Sequence, residues 1–314
     1  MSEEPREVVE ESLKEQCEGM LAKLAASERK DSVIRLWREY GVDIESYIRF
    51  QYLKENNPLP QTILDPHPND VIKIKLKGLS YLARSIDIAH MGDGEREKWF
   101  LKELTPGENE LFVDVGANLG QFSVPMGKRT KVLAFEPDER NFELLQTNIH
   151  LNGVENNVKA VPIALADRNG KIRLFLGRAG IFSTVMDPIS LSLGWIPEGI
   201  REVDCITLDS ALTRYGLRKI DWLKIDVEGS EFLVLTGARE SMMTRKISNI
   251  LIEIHAQIYE NRSPDDIYAL LVPYYDLTVL WRDQKNPKYH YLKATLKANK
   301  HDIGSAGLNL RNPI

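Results

Sequence analysis

The chain has 314 residues, 43% hydrophobic and 28% charged, with a formal net charge of −5. That balance is the one expected of a globular protein with one large core plus additions, and the negative charge argues against a nucleic-acid protein that works through a broad basic face. No apolar run approaches bilayer-spanning length, and the two cysteines, Cys17 and Cys205, stand far apart without a partner motif, which speaks against a disulfide framework or a zinc site.

The first residues, Met1-Ser2-Glu3-Glu4-Pro5-Arg6-Glu7, are acidic and lack the basic-then-apolar pattern of a secretory signal, so a cytoplasmic protein is the expectation. Residues 1 to about 57 read as helical. Val9, Leu13, Met20 and Leu24 recur at helical spacing, and Val33, Ile34, Leu36, Trp37 and Tyr40 predict a second helix. Such helices serve as a lid, as a surface for a homo-oligomer, or as packing on the main domain. Breaks follow at Asn56-Asn57-Pro58-Leu59-Pro60 and at Pro66-His67-Pro68-Asn69-Asp70. Val71–Leu76 then alternates like a half-exposed strand, and Glu95 to Leu104 reads as a helix. These features predict an N-terminal extension over 1–94 and a main domain over 95–314.

The main domain opens with Leu111-Phe112-Val113-Asp114-Val115-Gly116-Ala117-Asn118-Leu119-Gly120, a buried strand running into a glycine-lined turn and a helix. Gly116 and Gly120 remove side chains where backbone turns and approaches a ligand, and Asp114 places a carboxylate at the strand's carboxyl end. A dinucleotide fingerprint requires Gly-x-Gly-x-x-Gly, whereas Asn118 stands where the second glycine admits a pyrophosphate. This disfavours a nicotinamide-dependent oxidoreductase. An acid beside the loop suits a ligand with a positive charge and an amino group, and S-adenosylmethionine has both. About twenty residues on, Lys131-Val132-Leu133-Ala134-Phe135-Glu136-Pro137 ends a second strand in an acid, at the offset where a carboxylate meets ribose hydroxyls. A helix is predicted from Asp138 to Asn152.

Further strands are predicted near 158–164, 220–226, 249–255 and 274–281, with another near 288–295. Alternating strand and helix patterns of this kind predict a parallel α/β sheet covered on both faces. Residues 170–208 interrupt the rhythm. Lys171–Leu176 and Glu202–Leu208 alternate around a Gly, Ser and Pro-rich loop, predicting an antiparallel insertion between the third and fourth strands of the sheet. From 282 to 314 the chain turns basic, with seven Lys or Arg against two acids. A solvated terminal segment is the favoured reading there, with phosphate contact the alternative.

Strand ends in open α/β sheets hold the working residues. Lys224-Ile225-Asp226-Val227-Glu228-Gly229-Ser230-Glu231 supplies one such end, where Lys224, Asp226 and Glu228 share a face if the strand continues that far. Ile252-Glu253-Ile254-His255 supplies another, pairing Glu253 with His255. If the two strands are neighbours, three carboxylates and an imidazole converge, and positive charge must answer them. Lys224, protonated His255, a divalent cation such as magnesium or manganese, or a sulfonium would do so. No spacing here is diagnostic of a metal. His255 is otherwise a general base for a substrate hydroxyl.

These residues resemble the FkbM family of S-adenosylmethionine-dependent methyltransferases. Three blocks carry the likeness: Val113–Gly120; Ala134-Phe135-Glu136-Pro137 with Asn148 and Asn152-Gly153; and Leu223–Glu231 with Leu235 and Gly237-Ala238. The resemblance spans roughly 95 to 260 and implies a class I methyltransferase, Rossmann-like fold. It implies cofactor contacts at Asp114, Gly116, Asn118, Gly120 and Glu136, and adenine contacts near Ala164 and Asp167. Family members resemble O-methyltransferases for hydroxyls of sugars, glycan or lipid-linked saccharides and polyketides, so a small-molecule or saccharide acceptor is expected. The segment Gly180-Ile181-Phe182-Ser183-Thr184 departs from the glycine-serine segment common in the family. Asp226, Glu228 and His255 are expected around the acceptor hydroxyl, with Glu253 orienting His255 or sharing a metal. An RNA or other macromolecule methyltransferase and a non-catalytic S-adenosylmethionine-binding or assembly protein are the alternatives.

Overall fold

The computed structural model of the protein describes residues 71–76, 79–84, 101–177, 183–185, 197–255, 262–284 and 286–298. The helices expected over 1–57 and the whole segment after residue 298 lie outside the described residues. In the N-terminal part, β1 (Val71–Leu76) pairs antiparallel with β2 (Leu79–Arg84). The main domain follows as β3 (Leu111–Val115), α1 (Ser123–Gly127), β4 (Lys131–Phe135), α2 (Glu139–Leu151), β5 (Val158–Val161) and β6 (Ala164–Leu165). Then come β7 (Gly170–Leu176), β8 (Gly199–Ile206), α3 (Leu208–Arg214), β9 (Ile220–Ile225), α4 (Glu231–Thr236) and α5 (Arg239–Met243). Last are β10 (Ile247–Ile254), α6 (Pro264–Leu271), β11 (Tyr275–Arg282) and β12 (His290–Leu296).

Seven strands form one sheet in the order β11-β12-β10-β9-β3-β4-β5. Neighbours from β10 to β5 are parallel, while β12 runs antiparallel to β10 and β11. This mostly parallel, helix-covered sheet is the class I methyltransferase, Rossmann-like architecture. Its central strands are apolar on both faces because side chains two apart share a side and both sides are covered. Phe112, Val132, Ala134 and Leu251 pack with Leu119, Phe122, Val124, Leu145 and Ile149 from around α1 and α2. Val113, Val115, Leu133, Leu223, Ile225, Ile250 and Ile252 pack with Leu208, Leu212, Val234, Met242, Ile267 and Leu271 on the other face.

The strand expected over 158–164 divides. β5 stays in the main sheet, and β6 leaves it to pair with β8, which pairs antiparallel with β7 in a separate three-stranded sheet. Thr184 then bridges Phe175 of β7 in antiparallel fashion, placing residues 183–185 beside the smaller sheet. Basic residues between 282 and 298 are partly absorbed by the fold: Lys293, on β12, meets Glu103 at 2.8 Å, and Lys297 donates to the Val272 carbonyl at 2.7 Å. Asn148 on α2 and Asn152, the residue that caps its C-terminus, read the backbone of β2. Asn148 accepts from Leu82 N–H at 2.6 Å and donates to the Leu82 and Leu119 carbonyls at 3.0 and 2.9 Å; Asn152 accepts from Ser80 N–H at 3.0 Å and donates to its carbonyl at 2.6 Å. Among the described residues, no helix is long and apolar enough to cross a membrane.

Candidate active site

A cleft open to solvent lies beyond the carboxyl ends of β3, β4 and β9. Its wall includes Gly116, Asn118, Glu136, Pro137, Asn141, Ile163, Ala164, Ser183, Thr184, Asp226 and Glu228. The loop after β3 shapes one side. Gly116 has φ +75°, and a Cβ there would stand 1.9 Å from the Asp226 carbonyl oxygen, so only glycine lets β3 and β9 approach this closely. Asn118 also adopts a left-handed conformation, φ 49°. Its N–H donates to Glu136 Oε2 at 2.8 Å, while the N–H of Asp138 donates to Glu136 Oε1 at 2.9 Å. Glu136 is 5% exposed. Burial pushes its carboxyl from 4.5 up to about 7, against the opposing pull of those two N–H groups.

Asp114 does not reach the cleft wall. It is fully buried, accepts from Ser123 Oγ at 2.6 Å and meets Lys224 Nζ at 3.2 Å. Burial pushes its carboxyl up while Lys224 and Ser123 pull it down, and burial prevails. Gly120, expected as a ligand contact, has φ +92° and packs instead against Leu145 and Val124, which a Cβ would meet at 2.9 and 3.0 Å. Asp167 also stands apart from the wall, 3.1 Å from the Arg168 guanidinium, whereas Ala164 lies on it.

β9 and β10 are parallel neighbours, with Lys224 beside Leu251 and Ile225 beside Ile252, so the second group of acids converges as their strand ends require. Lys224 is 2% exposed and sits 3.2 Å from Asp114 and 3.5 Å from Asp226, donating also to the Gly116 carbonyl at 2.8 Å. Burial by itself would lower its pKa, but Asp114 and Asp226 outweigh it and hold the ammonium charged. Glu228 arrives differently from expectation. The strand ends at Ile225, and Glu228 stands in a turn with φ 53°, followed by Gly229 with φ 94°. Non-glycine residues held at positive φ cost about 1–3 kcal/mol and cluster where the surroundings demand a particular side-chain direction.

His255 lies behind the wall. Its Nε2 is 3.3 Å from Glu228 Oε2 and 3.9 Å from Glu253 Oε1, and its Nδ1 is 2.7 Å from Glu231 Oε1. Burial acts to lower the His255 pKa, yet Glu228 and Glu231 together raise it well above 6.5, so the ring is an imidazolium near neutrality. Glu253 is held elsewhere, accepting from the Tyr289 hydroxyl, and its carboxyl is raised by burial and by Asp226. The carboxylate that grips Nδ1 is therefore Glu231, whereas Glu253 was expected to orient the ring. Sequence reasoning gave no role to Glu231 or Tyr289, since an acid in a helix's first turn and a downstream tyrosine have no distinguishing pattern. One ligand atom each from Asp226, Glu228 and His255 lie within 4.8 Å of one another, a spacing compatible with a shared cation. Lys224 and His255 already bring positive charge to that cluster.

Residues 114–285 match the family described as Methyltransferase FkbM domain. Among curated proteins, the chain is 30% identical over 174 residues to Methyltransferase sdnD of Sordaria araneosa, covering 46% of this chain and 66% of that protein. It is 26% identical over 166 residues to Hexuronic acid methyltransferase AglP of Haloferax volcanii, covering 52% and 62%. It is also 24% identical over 181 residues to 2-O-methyltransferase NoeI of Sinorhizobium fredii, covering 53% and 72%. The chain thus spans 66% and 62% of the length of the first two relatives. With the matched segment running from Asp114 on β3 through β11, the chain belongs to the FkbM methyltransferase domain family.

Proposed function

We propose that this chain is an S-adenosylmethionine-dependent O-methyltransferase acting on a hydroxyl of a saccharide or other small molecule. The observation that carries the reading is one cleft whose wall joins the Gly116–Asn118 loop after β3 and Glu136 after β4 to Asp226 and Glu228. The wall fits the cofactor on several counts. A Cβ at Gly116 would collide with backbone, so the loop presents bare main chain to the cleft. The Oδ1 of Asn118 is buried without a hydrogen-bond partner among the described residues, an acceptor suited to an amino or hydroxyl donor. Glu136 accepts one backbone N–H on each oxygen and a further hydrogen bond from the Asn141 side chain, and a carboxylate has about four such sites. The remaining one suits a ribose hydroxyl. The acids at 226 and 228 suit a cationic group.

When bound, S-adenosylmethionine supplies an electrophilic methyl group on a sulfonium centre. The protein's share is to orient the acceptor and manage its proton. Asp226 and Glu228, on the cleft wall, accept the acceptor hydroxyl's hydrogen bond, and a Glu228 carboxylate oxygen takes the proton as the hydroxyl becomes a nucleophile. His255, protonated and outside the wall, holds Glu228, and Lys224 holds Asp226. Residues 183–185 border the acceptor side, with Thr184 Oγ1 donating to the Glu228 carbonyl at 2.9 Å. A divalent cation at Asp226, Glu228 and His255 is the alternative means of acidifying the hydroxyl, and chelation separates the two.

The test is transfer of a labelled methyl group from S-adenosylmethionine to fractions of saccharides, small molecules, RNA and protein, with and without chelator. Label on an acceptor hydroxyl in the saccharide or small-molecule fractions supports the reading. Label confined to RNA or protein overturns the acceptor class, and cofactor binding without transfer to any fraction favours a non-catalytic role.

A further inference from the structure

The proton-handling edge includes one buried acid that touches neither the cleft nor any group assigned to the acceptor. Glu231, the first residue of α4, is fully buried. Its Oε1 accepts the Gly229 N–H at 3.0 Å and meets His255 Nδ1 at 2.7 Å. Its Oε2 has no hydrogen-bond partner among the described residues. Withdrawing a carboxylate from water with one oxygen unsatisfied is costly, and a residue needed only to fill this space would be apolar. The position calls for a hydrogen-bonding side chain.

That carboxyl group controls two things. A proton on Nδ1 directed at Glu231 turns Nε2 to the opposite side of the ring, where it meets Glu228 at 3.3 Å and Glu253 at 3.9 Å. Around the ring stand Glu228, Glu231 and Glu253, the Asp226 carboxylate within 4.8 Å, and the Tyr289 ring at 5.7 Å between centroids. The same Oε1 also pins Gly229, whose φ of 94° follows the φ of 53° at Glu228. The turn that delivers Glu228 to the cleft wall is thus closed by the oxygen that orients His255.

We propose that Glu231 is a positioning residue for methyl transfer, setting the His255 ring and the Glu228 turn through one shared carboxylate oxygen. The inference rests on the reading of Asp226 and Glu228 as the acceptor edge. It adds a residue that acts only through them, in the way that carboxylates behind working imidazoles fix tautomer and ring direction.

The experiment uses the full chain with nitrogen-15 in its six histidines. The His255 signals are identified by their loss in His255→Gln. The wild type is expected to show a far-downfield, exchange-protected Nδ1 proton, and Glu231→Gln to lose that signature while keeping the side-chain volume. With labelled S-adenosylmethionine and the acceptor fraction that takes up label, kcat of Glu231→Gln should fall about 10- to 100-fold. Its KM for S-adenosylmethionine should stay within about twofold, because the residue is off the cofactor wall, and Glu231→Asp should recover part of the loss. Absence of the protected proton from the wild type overturns the proposal without any variant having to fold. So does an unchanged His255 spectrum or unchanged kcat in Glu231→Gln. Failure of the methyltransferase reading shows differently, as wild-type protein that binds no S-adenosylmethionine.

Discussion

Lys224 and Asp114 form an ion pair at 3.2 Å with side chains 2% and 0% exposed, and the same ammonium reaches Asp226 at 3.5 Å. One buried cation therefore ties the end of β3 to the end of β9, and through the Gly116 carbonyl it also holds the loop that follows β3. Asp114 serves this bracket from behind the cleft wall. Removing one member of a buried pair leaves the other charge uncompensated, which costs about 3–5 kcal/mol. Lys224→Met is expected to lose stability of that order in urea denaturation, with part regained in Asp114→Asn/Lys224→Met. An unchanged denaturation midpoint for the single variant would contradict this bracket.

Burial of Glu136 makes stability depend on pH and, under the proposed ribose contact, cofactor affinity as well. Its folded-state pKa is raised from 4.5 to about 7, so the folded chain keeps a proton that the unfolded chain has lost across that window. Stability therefore falls as pH rises through it, by about 3 kcal/mol in total from this group. A ribose hydroxyl that donates to the carboxylate favours its ionised form. Binding of S-adenosylmethionine should then release a proton, with affinity rising up to about pH 7. Calorimetry in buffers of different ionisation enthalpy measures the release, and Glu136→Gln should abolish it.

Gly116→Ala places a Cβ 1.9 Å from the Asp226 carbonyl oxygen at a residue with φ +75°. Backbone cannot yield as a flexible side chain does, so the loop must move off β9. The expected outcome is a loss of S-adenosylmethionine affinity greater than about tenfold, equivalent to more than about 1.4 kcal/mol, together with a lowered Tm. Retention of wild-type affinity would mean that the loop does not shape the cofactor wall.

Asn148→Ala should destabilise the chain through β2. It removes the partner of the Leu82 N–H and takes donors from the Leu82 and Leu119 carbonyls. Unsatisfied buried groups cost about 1–3 kcal/mol each. Amide hydrogen exchange at Leu82 should accelerate more than exchange at Ile225 in the core of β9, and equal effects at both sites would contradict a local role.

Much of this arrangement is legible in the sequence, for identifiable reasons. Apolar runs bounded by Gly, Pro or acids locate β3, β4, β9 and β10 within a few residues, because strands buried on both faces leave continuous apolar stretches. Strand-end logic brings Asp226, Glu228, Glu253 and His255 into one neighbourhood. What it lacks is tertiary register. Asp114 lies opposite Lys224 only because β3 and β9 pair as they do, and that pairing turns an apparent ligand acid into a buried bracket. Glu228 leaves the strand pattern through a left-handed turn, which alternation cannot foresee. The choice between Glu231 and Glu253 as the partner of Nδ1 depends on how α4 approaches β10, and Tyr289 reaches Glu253 from β12's N-terminal flank across 36 positions of chain.

The central claim is that the cleft bounded by Gly116, Asn118 and Glu136 is an S-adenosylmethionine site. Isothermal titration of the full chain with S-adenosylmethionine, its demethylated product and NAD measures this most directly. One-to-one binding of the first two is expected, with none of NAD and strong weakening by Gly116→Ala. Absence of S-adenosylmethionine binding by folded wild-type protein, or binding that Gly116→Ala leaves intact, would contradict it.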